Sequence, residues 1–202
     1  MDSKSIFDII ARTHKEKKIV SLCNSLSKHC SFDSGKDAEK LCTLAYWLFV
    51  AGDDKCVLMI AQYTHSAKFS GKAFFNVWDY ILYIWGLEIY LYTKSGELEA
   101  ASCRISEFDK VLKTPLPGNY PSYELQLIYE QERRERIKYP DILNFHKIQK
   151  AELTLSKCQY KLQALYKMVG YTYTGLFPNL TEKQNKIEQY IHEYVTDLRK
   201  SL

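Results

Sequence analysis

Cysteine and histidine are the residues of this chain with the widest chemical range, and their spacing predicts no catalytic or metal-binding role. None of the six cysteines forms a Cys-x-x-Cys pair, and no cysteine and histidine have zinc-site spacing. His192 precedes Glu193, but the second histidine of a metal-binding helix is missing. We therefore predict no metal ligands, no cofactor and six reduced structural thiols, which are typical of a cytoplasmic protein. The residues concerned are Cys23, Cys30, Cys42, Cys56, Cys103, Cys158, His14, His29, His65, His146 and His192.

Catalytic motifs are also missing from the sequence. It contains no dinucleotide-binding Gly-x-Gly-x-x-Gly, no phosphate-binding P-loop and no Gly-x-Ser-x-Gly nucleophile elbow. Asp53 and Asp54 are adjacent, so their side chains point in different directions on a helix. We interpret both as helix-capping residues. The sequence predicts a protein that is not an enzyme and has no catalytic residues.

The segment 73–92 is apolar and long enough to span a bilayer. However, Asp79 and Glu88 lie inside it, and each would cost about 2.5–3.5 kcal/mol near the bilayer centre. We therefore predict a buried central helix and no association with a membrane. The first 18 residues contain Asp2 and Asp8 and only a short apolar stretch, so we do not expect a signal peptide.

A polar stripe runs along the same segment. Asn76, Asp79 and Tyr83 recur at helical spacing with Lys72, Gly86 and Tyr90, opposite a side rich in tryptophan, phenylalanine and isoleucine. In one interpretation these polar groups hydrogen-bond to neighbouring helices inside the fold. In the other, the stripe lines a concave groove that receives a partner.

A charged cluster at 130–136 follows a proline-containing loop at 113–122. Glu130 and Arg134 are four residues apart with the acid first, which suits a solvated helix face. A docking surface for a protein is the alternative, because loops on rigid scaffolds carry contacts and Tyr and Arg dominate interface energies. We predict that one protein partner binds here, with the polar stripe behind the site. The predicted partner-binding residues are Tyr120, Tyr123, Glu132, Arg133, Arg134, Arg136, Asn76, Asp79 and Tyr83.

The elements that position these residues are predicted to be helices. Glycine and proline number only 8 and 5 of 202 residues, so turns are few and β-sandwiches or barrels are disfavoured. Apolar residues recur at helical spacing almost throughout. We predict a single all-α domain over 1–202 with about eight helices. These cover 3–29 as one or two helices, 36–51, 54–69, 72–94, 97–112, 122–138, 141–173 and a last helix capped at Thr181.

Two predicted helix hairpins turn at Gly52 and Gly96, which are 44 residues apart. This spacing resembles the stacked helix pairs of tetratricopeptide-like proteins, without their 34-residue period. An irregular helical bundle is the alternative. Regular stacking would produce an elongated scaffold, whereas a bundle would enclose one core.

The net charge of +4 is spread along the chain, and glutamates alternate with the arginines of 130–136, so we expect no nucleic-acid partner. In its size, helical class and lack of catalytic motifs, the chain resembles bacterial immunity proteins of contact-dependent inhibition systems. The resemblance assigns no individual residues. It implies a protein-binding module that neutralises a cognate toxin domain. A helical-repeat scaffold and a nucleic-acid-associated regulator are the alternatives.

Overall fold

The computed structural model describes residues 3–32, 34–66, 74–113, 157–172 and 184–202. These residues form eight α-helices and contain no β-strand, which confirms the predicted all-α fold. The helices are α1 Ser3–Thr13, α2 Lys17–Lys28, α3 Gly35–Ala51, α4 Asp54–His65, α5 Phe74–Ser95, α6 Leu98–Lys113, α7 Lys157–Thr172 and α8 Gln184–Arg199.

The predicted turns are present in the structure. Gly52 ends α3 with φ 87° and Gly96 follows α5 with φ 82°, a left-handed backbone that glycine adopts at little cost. Asp53 caps α4 by accepting a hydrogen bond from the backbone amide of Cys56. These local signals were sufficient to predict the boundaries, because a cap depends only on its own few residues.

Three predicted helices can be compared with the described residues. The segment 3–29 forms two helices, because His14, Lys15 and Glu16 interrupt it. The helix predicted to reach 69 ends at His65, and that predicted over 141–173 is present over Lys157–Thr172. The predicted helix 122–138 and segment 141–156 lie outside the described residues.

The core lies around α3 and α5. Helix α3 packs against α2, α4, α5, α7 and α8, while α5 packs against α3, α4, α6 and α7. Every residue from 81 to 91 is buried, which is why this stretch is so apolar. Among the described helices, α5 included, none has both the length and the hydropathy required to cross a membrane.

Helices α5 and α7 cross at two glycines. A Cβ atom added to Gly86 would lie only 2.2 Å from the carbonyl oxygen of Gly170. The hydroxyl of Tyr46 on α3 donates toward the carbonyl oxygens of Tyr83 and Tyr166, at 3.0 and 3.2 Å. This polar contact joins α3, α5 and α7 inside the core, where hydrogen bonds compensate for burial.

The C-terminal helices pack as their periodicity predicts. On α7, Leu162, Leu165 and Val169 are buried along one seam. On α8, a single face carries the buried residues, and Arg199 donates from Nε to the carbonyl of Val50 at 2.9 Å. The buried residues of α8 are Ile187, Ile191, Tyr194 and Leu198. Packing of α8 against α7 and α3 therefore anchors the end of the chain to the core.

Candidate functional site

A groove between α4 and α5 is the candidate partner-binding surface of the described chain. Its volume is about 450 Å³. Leu58, Met59 and Leu91 supply its apolar floor, and Leu58 and Met59 are half-buried. Asp54, Lys55, Gln62, Ser95 and Glu97 form its polar rim. We call this surface the α4–α5 groove.

The α4–α5 groove forms because two turns meet at one end of the helix pair. Helix α4 starts immediately after Asp53, so its first exposed residues, Asp54 and Lys55, face the last turn of α5. Glu97 follows the Gly96 turn, and the next residue, Leu98, is 66% exposed. An exposed leucine beside a groove that already carries apolar residues enlarges the surface available to a partner.

A second groove, which we call the α2 groove, lies along the outer face of α2. Its volume is about 540 Å³, and its lining includes Lys15, Lys17 and Lys28 but no acidic residue. The other lining residues are Val20, Ser21, Asn24 and Ser25. This surface suits an anionic group better than an apolar one.

A buried ionic cluster joins α4, α5 and α6. Glu88 is fully buried, and its Oε2 lies 2.8 Å from His65 Nε2 and 3.4 Å from Arg104 Nε. Arg104 also pairs with Glu107 on α6. The Arg104 guanidinium and the hydrogen bond to His65 compensate for the burial of the Glu88 carboxylate, so the cluster stabilises the packing of three helices. Sequence patterns did not predict this cluster, because its members lie far apart along the chain.

A second cluster lies where the α1–α2 connection meets the start of α4. His14 Nδ1 is 3.0 Å from Glu16 Oε2, and His14 Nε2 is 3.0 Å from Asp53 Oδ2. The donor atoms of His14, Asp53 and Cys56 all lie within 4.8 Å of one another. The sequence prediction of no metal ligands rested on spacing along the chain. It did not anticipate this cluster, because tertiary packing brings its residues together.

The cysteine of this cluster is unsuited to nucleophilic catalysis. Burial, together with hydrogen bonding to Asp53, raises the pKa of Cys56 to about 12. At neutral pH the group is therefore a thiol and not the thiolate that attacks an electrophile. Burial also raises the pKa of Asp53, but hydrogen bonds from Cys56 and the contact with His14 outweigh it and leave that pKa lowered. The Asp53 carboxylate thus remains charged.

Three further cysteines resemble Cys56 in that burial raises the pKa of the thiol. Burial raises the pKa of Cys23 to about 12 and that of Cys30 to about 11. Burial also raises the pKa of Cys42, which is fully enclosed, whereas Cys103 is exposed. All six cysteines are unpaired with one another, in keeping with the predicted reduced thiols.

The predicted site residues are only partly within the described structure. Tyr120, Tyr123, Glu132, Arg133, Arg134 and Arg136 lie outside the described residues. Asn76 and Asp79 belong to α5, but their side chains also lie outside that description.

The side chain of Tyr83 is buried and does not lie on an open surface. It is 8% exposed, and its ring lies against Tyr166 and the site of Gly170 on α7. At Tyr83 and Gly86, the stripe is therefore covered by the chain's own helix α7. For Tyr83, the position agrees with packing inside the fold and not with a groove open to a partner.

In the ranges that the structure describes, these features combine an all-α fold and a filled core with the α4–α5 groove, the α2 groove and the two ionic clusters. Residues 2–123, which include α1 to α6, match the family of unknown function DUF6707, and the chain belongs to that family. No curated protein and no solved structure matches the chain. The α4–α5 groove and both ionic clusters lie within the matched segment.

Proposed function

We propose that this protein is a non-enzymatic protein-binding module and that a segment of its partner docks in the α4–α5 groove. The observation that carries the proposal is an apolar floor of Leu58, Met59 and Leu91 inside a charged rim. Methionine and leucine give an adaptable apolar contact, while the rim fixes orientation and specificity. The exposed Leu98 beside Glu97 extends the same surface.

The chemistry of the α4–α5 groove indicates what its occupant would be. An apolar floor flanked by polar side chains suits an amphipathic helix, whose anchors recur at three- and four-residue spacing. Asp54 and Glu97 outnumber Lys55 on the rim, so a basic residue beside the anchors would complement the groove. Substituting the rim acids would weaken the binding of a basic partner segment but not that of an acidic one.

In its more specific form, the proposal is that the partner is a toxin domain that this protein neutralises in the cytoplasm. It is supported by the resemblance in size, helical class and lack of catalytic motifs to immunity proteins. The stretch Tyr120–Arg136 is proposed as a second part of the same interface.

The docking surface is tested by photo-crosslinking in cells that express the full chain. A benzophenone amino acid replaces Gln62 on the groove rim or, as a matched control, the exposed Gln189 on α8. We expect one discrete adduct from position 62 and none from position 189. If the same protein is captured equally from both positions, or only from position 189, the groove is not the docking surface.

Leu58→Lys tests the energetics and the toxin-neutralising role together. Losing an apolar anchor is worth about 2 kcal/mol, so binding to the captured partner should weaken about thirtyfold or more. If the partner is a toxin encoded by the adjacent gene, the parent should relieve its growth arrest and Leu58→Lys should not. Gln189→Lys adds the same charge on α8 and should behave like the parent. Equal binding by all three proteins would reject the groove.

The α2 groove favours the alternative of a nucleic-acid-associated regulator, because its lysines suit phosphate groups. Fluorescence anisotropy with a labelled duplex tests this at about 0.15 M salt. We expect no sub-micromolar binding. Salt-sensitive sub-micromolar binding that falls in Lys17→Gln, but not in the exposed control Lys186→Gln, would replace our proposal with the nucleic-acid function.

A further inference from the structure

The cluster of His14, Asp53 and Cys56 brings three types of metal-ligand side chain together from two distant parts of the chain. His14 directly follows α1, while Asp53 and Cys56 lie at the start of α4, 39 or more residues later. Imidazole, carboxylate and thiol groups are the protein ligands of zinc. Their convergence is separate from the α4–α5 groove and goes beyond the proposed binding function.

The donor atoms are close enough to share one ion. His14 Nε2 and Asp53 Oδ2 are 3.0 Å apart, and the Cys56 donor lies within 4.8 Å of both. Tetrahedral ligands with zinc bonds of about 2.0–2.3 Å lie roughly 3.3–3.6 Å from one another. Side-chain movements of about 1 Å would therefore bring all three donors into coordination distance.

Neighbouring groups already orient two of the three ligands. Glu16 Oε2 lies 3.0 Å from His14 Nδ1, and a carboxylate on the second ring nitrogen is the usual way of holding a zinc-bound histidine. The backbone amide of Cys56 donates to Asp53 Oδ1 at 2.9 Å. This hydrogen bond leaves Oδ2 as the oxygen that faces His14. Both side chains are therefore positioned before any ion binds.

The surroundings favour a cation. Asp53 and Glu16 both contact the one imidazole of His14. The side chain of His14 is 10% exposed and Cys56 is 5% exposed, so solvent screens the cluster only in part.

We propose that His14 Nε2, Asp53 Oδ2 and Cys56 Sγ form a zinc site with three protein ligands. Zinc suits a mixed nitrogen, oxygen and sulfur set, whereas magnesium and calcium prefer oxygen ligands alone. Binding would release the thiol proton of Cys56 and any proton on His14 Nε2. The ion would tie the α1–α2 connection to the start of α4.

The test is a titration of the metal-free full chain with Co²⁺, which replaces zinc and reports thiolate coordination by a charge-transfer absorption band. We expect one equivalent of Co²⁺ to produce the band and one equivalent of Zn²⁺ to remove it. Cys56→Ser should abolish the band. Cys103→Ser, which removes an exposed thiol on α6, should leave it unchanged.

Two further variants separate coordination from folding. Asp53→Asn keeps the helix cap but supplies a poorer ligand, and His14→Gln removes the imidazole. Each should weaken Co²⁺ binding at least tenfold, while circular dichroism remains that of the parent. Absence of a thiolate band in the parent, or its persistence in Cys56→Ser, would show that the cluster is an ion pair and a helix cap only.

Discussion

The close crossing of α5 and α7 at Gly86 and Gly170 makes a sharp prediction about stability. In Gly86→Ala, the new Cβ would lie 2.2 Å from the carbonyl oxygen and 2.4 Å from the Cα of Gly170. Carbon and oxygen atoms normally approach to about 3.3 Å. Because the atoms in the way belong to the backbone, no side-chain rotation relieves the overlap, and the helices must separate by about 1 Å.

Opposing effects determine how much Gly86→Ala changes the free energy of unfolding. Alanine is better than glycine inside a helix by about 1 kcal/mol, which would stabilise an unpacked α5. Overpacking a core costs about 1–3 kcal/mol and sometimes more. A 1 Å gap also removes up to about half of the dispersion energy of the facing contacts. Since backbone meets backbone here, we take the combined cost of overpacking and lost dispersion as about 4 kcal/mol, which leaves a net loss of about 3 kcal/mol in the free energy of unfolding after the helix gain of about 1 kcal/mol.

Urea denaturation followed by circular dichroism measures this loss. Gly96→Ala is the control, because no atom lies within 4 Å of its added Cβ and only the left-handed backbone opposes alanine. That strain costs about 1–2 kcal/mol, less than the Gly86 change. A Gly86→Ala protein as stable as the parent, or more stable, would refute the close crossing and the reasoning based on it.

Four further predictions test other parts of the molecule. Glu88→Ala should lower the free energy of unfolding by about 3 kcal/mol in urea denaturation, because it leaves Arg104 without its buried carboxylate and removes the hydrogen bond to His65. Lysine contacts lower the pKa of Asp197 below 3.8, so its contribution to stability is present above pH 3.8 and is lost as the pH falls through the lower folded value. Asp197→Asn should therefore reduce the change of urea midpoint with pH in that acid range. In thiol titration Cys103 should react first in the folded protein and six thiols should react after denaturation; a denatured count of two or fewer would contradict the reduced state. Tyr123→Ala and Arg134→Ala should each weaken partner binding about thirtyfold by calorimetry, and unchanged affinity in both folded variants would place the interface elsewhere.

Much of the fold could be predicted from the sequence because helix signals are local. Apolar residues recurring at helical spacing predicted helices almost throughout, and Gly52, Asp53 and Gly96 marked turns within a few residues. A helix cap or a turn depends on neighbours in the chain, so its residues can be recognised without knowing what packs nearby.

The polar stripe of α5 shows where local periodicity is insufficient. Its spacing correctly placed Tyr83 and Gly86 on one face, but it could not decide whether that face met solvent, a partner or another helix. At Tyr83 and Gly86 this face meets helix α7. The two backbones approach closely there because glycine occupies both position 86 and position 170. The predicted partner-binding stretch at 120–136 remains a prediction.

The ionic clusters were determined by tertiary structure alone. His14 meets Asp53, and Glu88 meets both His65 and Arg104, only because α1, α4, α5 and α6 pack side by side. Sequence spacing does not predict such contacts. Two polar residues that are 23 or 39 positions apart can lie in contact or far from each other in the fold. The sequence by itself determined the helices and their apolar faces, whereas the packing of those faces determined which polar groups meet.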